Sequence, residues 1–211
     1  MMRKYLLALP LMALALVAAK PASPAVQVAS LSAPAAIAAD PANRLNIELS
    51  SGGTVVIQLR PDVAPNTVYR IQTLASKGFY NGLTFHRVIP GFMAQGGDPL
   101  GTGQGGSTLP NLPAEFSGLP HMRGVIALAR TEQDLNGGNS QFFIMLSALM
   151  ELDHKYTNFG RVISGMQFVD GIAPGEPPAT PTKMVRVWID GPLPAPPAAA
   201  TPVAEAKPAG G

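Results

Sequence analysis

Apolar and polar residues alternate along Leu45–Leu49 and again along Thr54–Leu59. The two runs flank Ser50-Ser51-Gly52-Gly53, and the pattern predicts a β-hairpin with Ile47, Leu49, Val55, Ile57 and Leu59 turned inward. Past Pro65 the period changes. Val68, Ile71, Gln72, Leu74 and Ala75 recur at helical spacing between a proline suited to a first helical turn and Gly78, which suits a helix end. Two short β-prone runs follow, Thr84–Val88 and Phe92–Gln95, on either side of Pro90-Gly91, a pair that favours a bend. Strict alternation puts Phe85, Arg87 and Ile89 on one face of the first run. In the second, Phe92, Ala94 and Gly96 share one face, and Met93 and Gln95 the other. Gly124–Ala129 and Ser140–Leu146 read as further strands, Met166–Ile172 as a second helix burying Phe168 and Val169, and Val185, Val187 and Ile189 as alternating apolar positions of a closing strand.

Composition bounds the rest. A chain of 211 residues that is 46% hydrophobic has room for one domain with a closed core plus tails. Its 22 glycines and 22 prolines suit short strands and turns with low-complexity ends. Residues 1–19 carry Arg3-Lys4, an apolar run over Tyr5–Ala18 and small residues that suit a cut after Ala19, with Ala29 and Ala39 as alternative sites, the pattern of a secretory signal peptide. The run is too short to span a membrane and contains Pro10, so no stable anchor is expected once it is removed. Residues 20–43 read as an Ala/Pro-rich spacer, 44–190 as the folded domain and 191–211 as a second Pro/Ala-rich tail. Without Arg3 and Lys4, the 15 basic residues fall to 13 against 13 acidic ones, which leaves no basic footprint for nucleic acid. Cysteine is absent, which excludes disulfides and a thiolate nucleophile. The expected location is outside the cytoplasm, in the periplasm, and with no large apolar patch in prospect the chain is expected to be a monomer.

Several motifs promise chemistry that their setting denies. Gly101, Gly103 and Gly106 satisfy a dinucleotide-binding glycine pattern, but the chain then runs into Ser107-Thr108-Leu109-Pro110, with no helix to present amides to a phosphate. His121 and His154 lack metal-ligand spacing, so no metal or other cofactor is expected. Ser140 has neither a nucleophile elbow nor an evident base. Alternation turns His86 away from Arg87 and makes it a core or hydrogen-bonded residue. What remains unexplained is Arg87 itself, a cation among strand hydrocarbons.

The stretch that holds it, Phe85-His86-Arg87-Val88-Ile89-Pro90-Gly91-Phe92-Met93-Ala94-Gln95-Gly96-Gly97-Asp98, resembles the signature of the cyclophilins, the cyclosporin-binding peptidyl-prolyl cis/trans isomerases. Asn139-Ser140-Gln141-Phe142-Phe143-Ile144 resembles a second signature of that family, and Leu152-Asp153-His154-Lys155-Tyr156 with Phe159-Gly160 resembles the loop that follows it. The resemblance runs from about Leu45 to about Ile189. It implies a mainly β fold, a closed antiparallel barrel of about eight strands capped by two helices. It also implies an enzyme that accelerates Xaa-Pro rotation without a covalent intermediate and acts on proline-containing peptides and unfolded exported proteins.

On this resemblance Arg87 is the catalytic donor, Phe92, Met93, Phe143 and Leu152 form the slot for the proline ring, and Gln95 and Gln141 orient the arginine and the substrate. Ala129 and Arg130 mark the edge that meets substrate backbone, and Tyr156 completes the binding residues. Three positions depart from the common pattern: Arg130 replaces Asn, Tyr156 replaces His, and Glu151 stands where strongly drug-sensitive members carry Trp, which implies weak cyclosporin binding. The rival expectation is a non-catalytic proline-peptide module or holdase; the retained arginine argues against it, since binding alone does not require the cation.

Overall fold

The computed structural model describes residues 30–198; the expected signal peptide and most of the C-terminal tail lie outside them. Eight strands form one antiparallel sheet: β1 (Arg44–Leu49), β2 (Thr54–Leu59), β3 (Phe85–Ile89), β4 (Met93–Gly96), β5 (Val125–Leu128), β6 (Phe142–Met145), β7 (Thr157–Ser164) and β8 (Met184–Ile189). Their order across the sheet is β3-β4-β6-β5-β7-β2-β1-β8. The helices are α1 (Ala35–Ala39), α2 (Pro65–Ser76) and α3 (Met166–Asp170).

The predicted hairpin forms in the expected register, with Ile47 opposite Val55 and Leu45 opposite Ile57. All five of its inward residues are buried. Its turn uses Gly52 at φ 98° and Gly53 at φ 83°. At Gly53 a side chain is excluded twice over, because a Cβ there would lie 2.5 Å from the Phe168 ring of α3. That ring is half-buried, where the sequence suggested full burial; Val169 beside it is fully buried.

α2 carries Pro65 in its first turn but has no cap from Ala64. Its orphan amides are met from a distance. Glu115 accepts from Asn66 N and Nδ2 at 2.9 Å, from Thr67 N at 2.8 Å and from Thr67 Oγ1 at 2.7 Å, which places an anion at the positive end of the helix. Gly78 ends the helix at φ 70°. The amides of Gly78 and Phe79 return to the carbonyls of Ala75 and Leu74, closing a Schellman motif.

The sheet curls around a core that includes Leu45, Ile57, Ile71, Phe85, Phe142 and Phe159. Closure between the edge strands is only partial. No ladder joins β3 to β8; a bridge between Thr84 and Lys183 and the hydrogen bonds Phe85 N to Thr182 O and Met184 N to Leu83 O stitch the seam at one end. The closed barrel expected from the sequence is therefore a curled sheet that stays open along most of that seam. Farther along β3, Val88 and Gly175 exchange backbone bonds of 2.8 and 2.9 Å, so a loop covers this edge.

Part of the presumed spacer also has structure. Asp40 caps a 3₁₀ turn over Pro41–Asn43, Ala42 and Asn43 are buried, and the carbonyls of Ser30 and Ile37 accept from Arg60 and Gln58. Residues 30–43 thus pack on the sheet instead of extending freely from it. Their composition hides this because the polar partners belong to β2 and the residue that follows it.

Candidate active site

β5 and β6 are the runs Val-Ile-Ala-Leu and Phe-Phe-Ile-Met, buried at every position. Alternation explains why an unbroken apolar run is needed. Ile126, Leu128, Phe142 and Ile144 enter the main core, while Val125, Ala127, Phe143 and Met145 turn to the opposite face. There they form a second cluster with Met93, and Phe92, Ala129, Leu152 and Tyr156 pack against it. One sheet thus carries hydrocarbon on both faces, and the outer layer forms a groove.

Arg87 reaches this groove through an irregularity. Arg87 pairs with Gln95 and Ile89 with Met93, but the register shifts between Phe85 and Arg87. The sequence pattern placed Phe85 on the same face as Arg87; the bulge instead sends Phe85 into the core and leaves Arg87 and Ile89 outside. His86 is 5% exposed, with neither ring nitrogen hydrogen-bonded among the described residues, so it is buried as expected but unpartnered. Burial lowers its pKa; the nearby Asp98 opposes this and Arg87 reinforces it.

Nine of the ten residues singled out from the sequence line one cavity of about 100 Å³: Arg87, Phe92, Met93, Gln95, Ala129, Arg130, Phe143, Leu152 and Tyr156. For scale, an apolar cavity of about 150 Å³ admits benzene, so this one fits a single small ring. Met93 and Phe143 are almost fully buried in its wall. Tyr156 meets Phe143 edge to face at 5.5 Å, and the Arg130 guanidinium lies 4.7 Å above the Tyr156 ring. Arg130 Nε and Nη2 both donate to Lys155 O, at 3.0 and 2.6 Å, which fixes that roof in place.

The tenth residue, Gln141, sits one hydrogen bond behind. Its Oε1 accepts from Gln95 Nε2 at 2.9 Å, and its Nε2 donates to Gly103 O and Gly105 O at 3.0 and 2.7 Å. Gln95 Oε1 in turn receives Arg87 Nη1 at 3.5 Å, so a polar chain leads from the glycine loop to the guanidinium. The same loop answers the dinucleotide question. Its amides at Leu100, Thr102, Gly103 and Gly105 donate to the Asp98 carboxylate and face no open phosphate site. Burial raises the Asp98 pKa, but these four amides together hold it below the usual aspartate range. Gly105 is required here because a Cβ would collide with that carboxylate.

Sequence reasoning missed two features. Asp153 Oδ1 accepts from both His121 N and His121 Nδ1 at 2.8 Å, and the imidazole stacks on Phe143, so a polar pair braces the back of the pocket. Burial lowers the His121 pKa against the opposing pull of Asp153. The second is Glu176, whose Oε2 accepts from Arg87 Nε at 2.7 Å. No periodic signal predicts either contact, since each joins residues far apart in sequence, His121 with Asp153 and Arg87 of β3 with Glu176 of a distant loop. Ser140 is fully buried and its hydroxyl donates to Gly97 O, a structural bond.

A curled eight-stranded sheet whose outer face carries an apolar slot with a guanidinium on its rim has the architecture of a cyclophilin-like peptide isomerase. Residues 44–189 match the family described as cyclophilin type peptidyl-prolyl cis-trans isomerase/CLD. A probable peptidyl-prolyl cis-trans isomerase of Brucella suis biovar 1 is 43% identical over 182 residues, which covers 79% of this chain and 88% of the relative. Peptidyl-prolyl cis-trans isomerase B of Bacillus subtilis is 42% identical over 128 residues, 61% of this chain and 89% of its own. Among solved structures, a cyclophilin from Hirschia baltica superposes with a TM-score of 0.66 at 30% identity, covering 71% of this chain and 74% of its own. A Cryptosporidium parvum cyclophilin type isomerase, crystallised in the presence of the dipeptide Ala-Pro, gives 0.65 at 27% identity, covering 71% and 99%. The chain belongs to the cyclophilin-type peptidyl-prolyl cis-trans isomerase family. It is an isomerase of Xaa-Pro peptide bonds.

Proposed function

We propose that this isomerase is exported to the cell envelope, where as a monomer it speeds folding of newly delivered chains, gripping proline in the slot of Phe92, Met93, Phe143 and Leu152 and using Arg87 as its transition-state donor. An Xaa-Pro bond turns slowly because rotation breaks amide resonance, at a barrier of about 18–20 kcal/mol, and no bond to a nucleophile is needed. As the amide twists, its nitrogen lone pair localises and becomes an acceptor. A donor fixed at that point binds the twisted amide better than either planar isomer, and only such differential binding raises the rate. Arginine suits the task better than lysine, because its planar fork is pre-organised and less strongly hydrated.

The observation that carries this reading is the convergence of Arg87 with an apolar cavity of about 100 Å³, Gln95 standing between the arginine and the polar chain behind it. Export rests on Arg3-Lys4 and the apolar run after them. Exchange NMR on a short Xaa-Pro peptide tests the activity, with an Xaa-Ala peptide as control. Accelerated exchange with shifts at the Met93 methyl and the Phe143 ring supports it; Xaa-Pro binding without acceleration would favour a holdase. Mass spectrometry of protein from the envelope fraction tests export: a mature N-terminus near residue 20 is expected, and intact Met1 in the cytoplasmic fraction would refute it.

A further inference from the structure

The loop that covers the edge of β3 does more than blunt it. Because Val88 and Gly175 exchange both backbone bonds, residue 176 is delivered alongside Arg87, and the Glu176 carboxylate takes the Nε hydrogen at 2.7 Å. Glu176 is the only carboxylate within ion-pair distance of Arg87 among the described residues. The two side chains are 41% and 52% exposed, and an ion pair so open to solvent contributes little to folding. Its geometry matters more. Glu176 holds the guanidinium at Nε, and Gln95 Oε1 lies 3.5 Å from Nη1, so the plane is held at two points while Nη2 and the remaining Nη1 hydrogen stay free for the groove.

We propose that Glu176 is a positioning residue for Arg87, limiting rotation of the guanidinium so that its free N–H groups meet the twisting amide without a fresh loss of side-chain freedom in each turnover. The inference rests on Arg87 being the transition-state donor, and it identifies a functional carboxylate outside the two signature stretches. Glu176 acts through Arg87 and touches no reacting atom. It also offsets the arginine charge, so the groove offers a directed amide donor in place of a general anion hook.

The test compares Glu176→Gln, Glu176→Ala and Glu176→Asp in the whole chain, alone and combined with Arg87→Ala, by exchange NMR at several salt concentrations. Gln and Ala are expected to lower kcat about fivefold with KM within about twofold, and Asp to restore part of the loss. Added salt should lower the parent toward the Glu176→Gln variant and leave that variant unchanged, since exposed pairs are screened. The Arg87 Nε–H resonance should shift and broaden in the Gln and Ala variants while thermal midpoints stay together. With Arg87→Ala in place, Glu176→Gln should have no further effect. Unchanged or raised kcat in the Gln and Ala variants would overturn the proposal while leaving the Arg87 reading intact. Parent-level activity in Arg87→Ala alone would remove the basis of both.

Discussion

Replacing Gln141 by Met keeps the length of the side chain and removes its polar end. Three bonds go with it: the donors to Gly103 O at 3.0 Å and Gly105 O at 2.7 Å, and the acceptor for Gln95 Nε2 at 2.9 Å. Each neutral bond contributes about 0.5–1.5 kcal/mol net, and because the residue is only half-buried, water replaces part of the loss. The expected destabilisation is therefore about 1–2 kcal/mol. Activity should fall through a different route. Gln95 loses the partner that fixes its amide, and Arg87 Nη1 already stands 3.5 Å from Gln95 Oε1, at the limit of a hydrogen bond. Loosening that contact should weaken transition-state stabilisation by about 1 kcal/mol, a loss of about fivefold in kcat/KM. Urea unfolding measures the first effect and exchange NMR on a saturable Xaa-Pro peptide the second. Full activity combined with lost stability would refute the reasoning, because the polar chain would then only tie down the glycine loop. A loss beyond about a hundredfold would refute it in the other direction, marking Gln141 as a group that meets substrate itself.

Three further outcomes follow from the same geometry. Glu115→Ala strips four hydrogen bonds from the first turn of α2 and should cost about 2 kcal/mol in urea unfolding with kcat unchanged, since the residue lies outside the slot. Burial lowers the pKa of His86 and of His121, so below the ordinary histidine value of about 6.5 the unfolded chain binds more protons than the folded one. Stability should then be level from pH 7.5 down to about 6.5 and decline as pH falls further toward 5, a window clear of Asp62 and Asp98, whose values lie below 3.8; a flat profile from 7.5 to 5 would contradict this. Glu151 stands exposed in the 3₁₀ turn Met150–Leu152, where drug-sensitive relatives are expected to carry Trp, so calorimetric titration should find weak cyclosporin binding, and a tight stoichiometric isotherm would refute it.

Much of the fold was legible because its signals are local. The hairpin follows from period-two alternation around a Gly-Gly turn, and α2 from a proline, a helical stripe and a glycine that closes a Schellman motif. Phe92, Met93 and Phe143 were legible through the two signature stretches, which fold into neighbouring strands with Gln95 opposite Phe143, and Leu152 through the loop that follows them. What escaped depends on distance or on broken period. A bulge between Phe85 and Arg87 cancels the alternation there, and no hydropathy pattern marks a single extra residue. Glu115 and Glu176 act on residues 48 and 89 positions away, and in sequence each is an ordinary charged loop residue. The segment 30–43 looks like a spacer because most of its bonds to the sheet are made by its backbone carbonyls, which composition does not reveal.

The central claim is that Arg87 recognises the twisted amide and not the resting peptide. The measurement that tests it most directly sets peptide affinity beside catalysed exchange for the parent and for Arg87→Ala, on one Xaa-Pro peptide under one set of conditions. The account predicts a dissociation constant within about threefold of the parent and an exchange rate at least about tenfold lower, since the lost interaction forms only in the transition state. Equal losses in affinity and rate, or an unchanged rate, would contradict it.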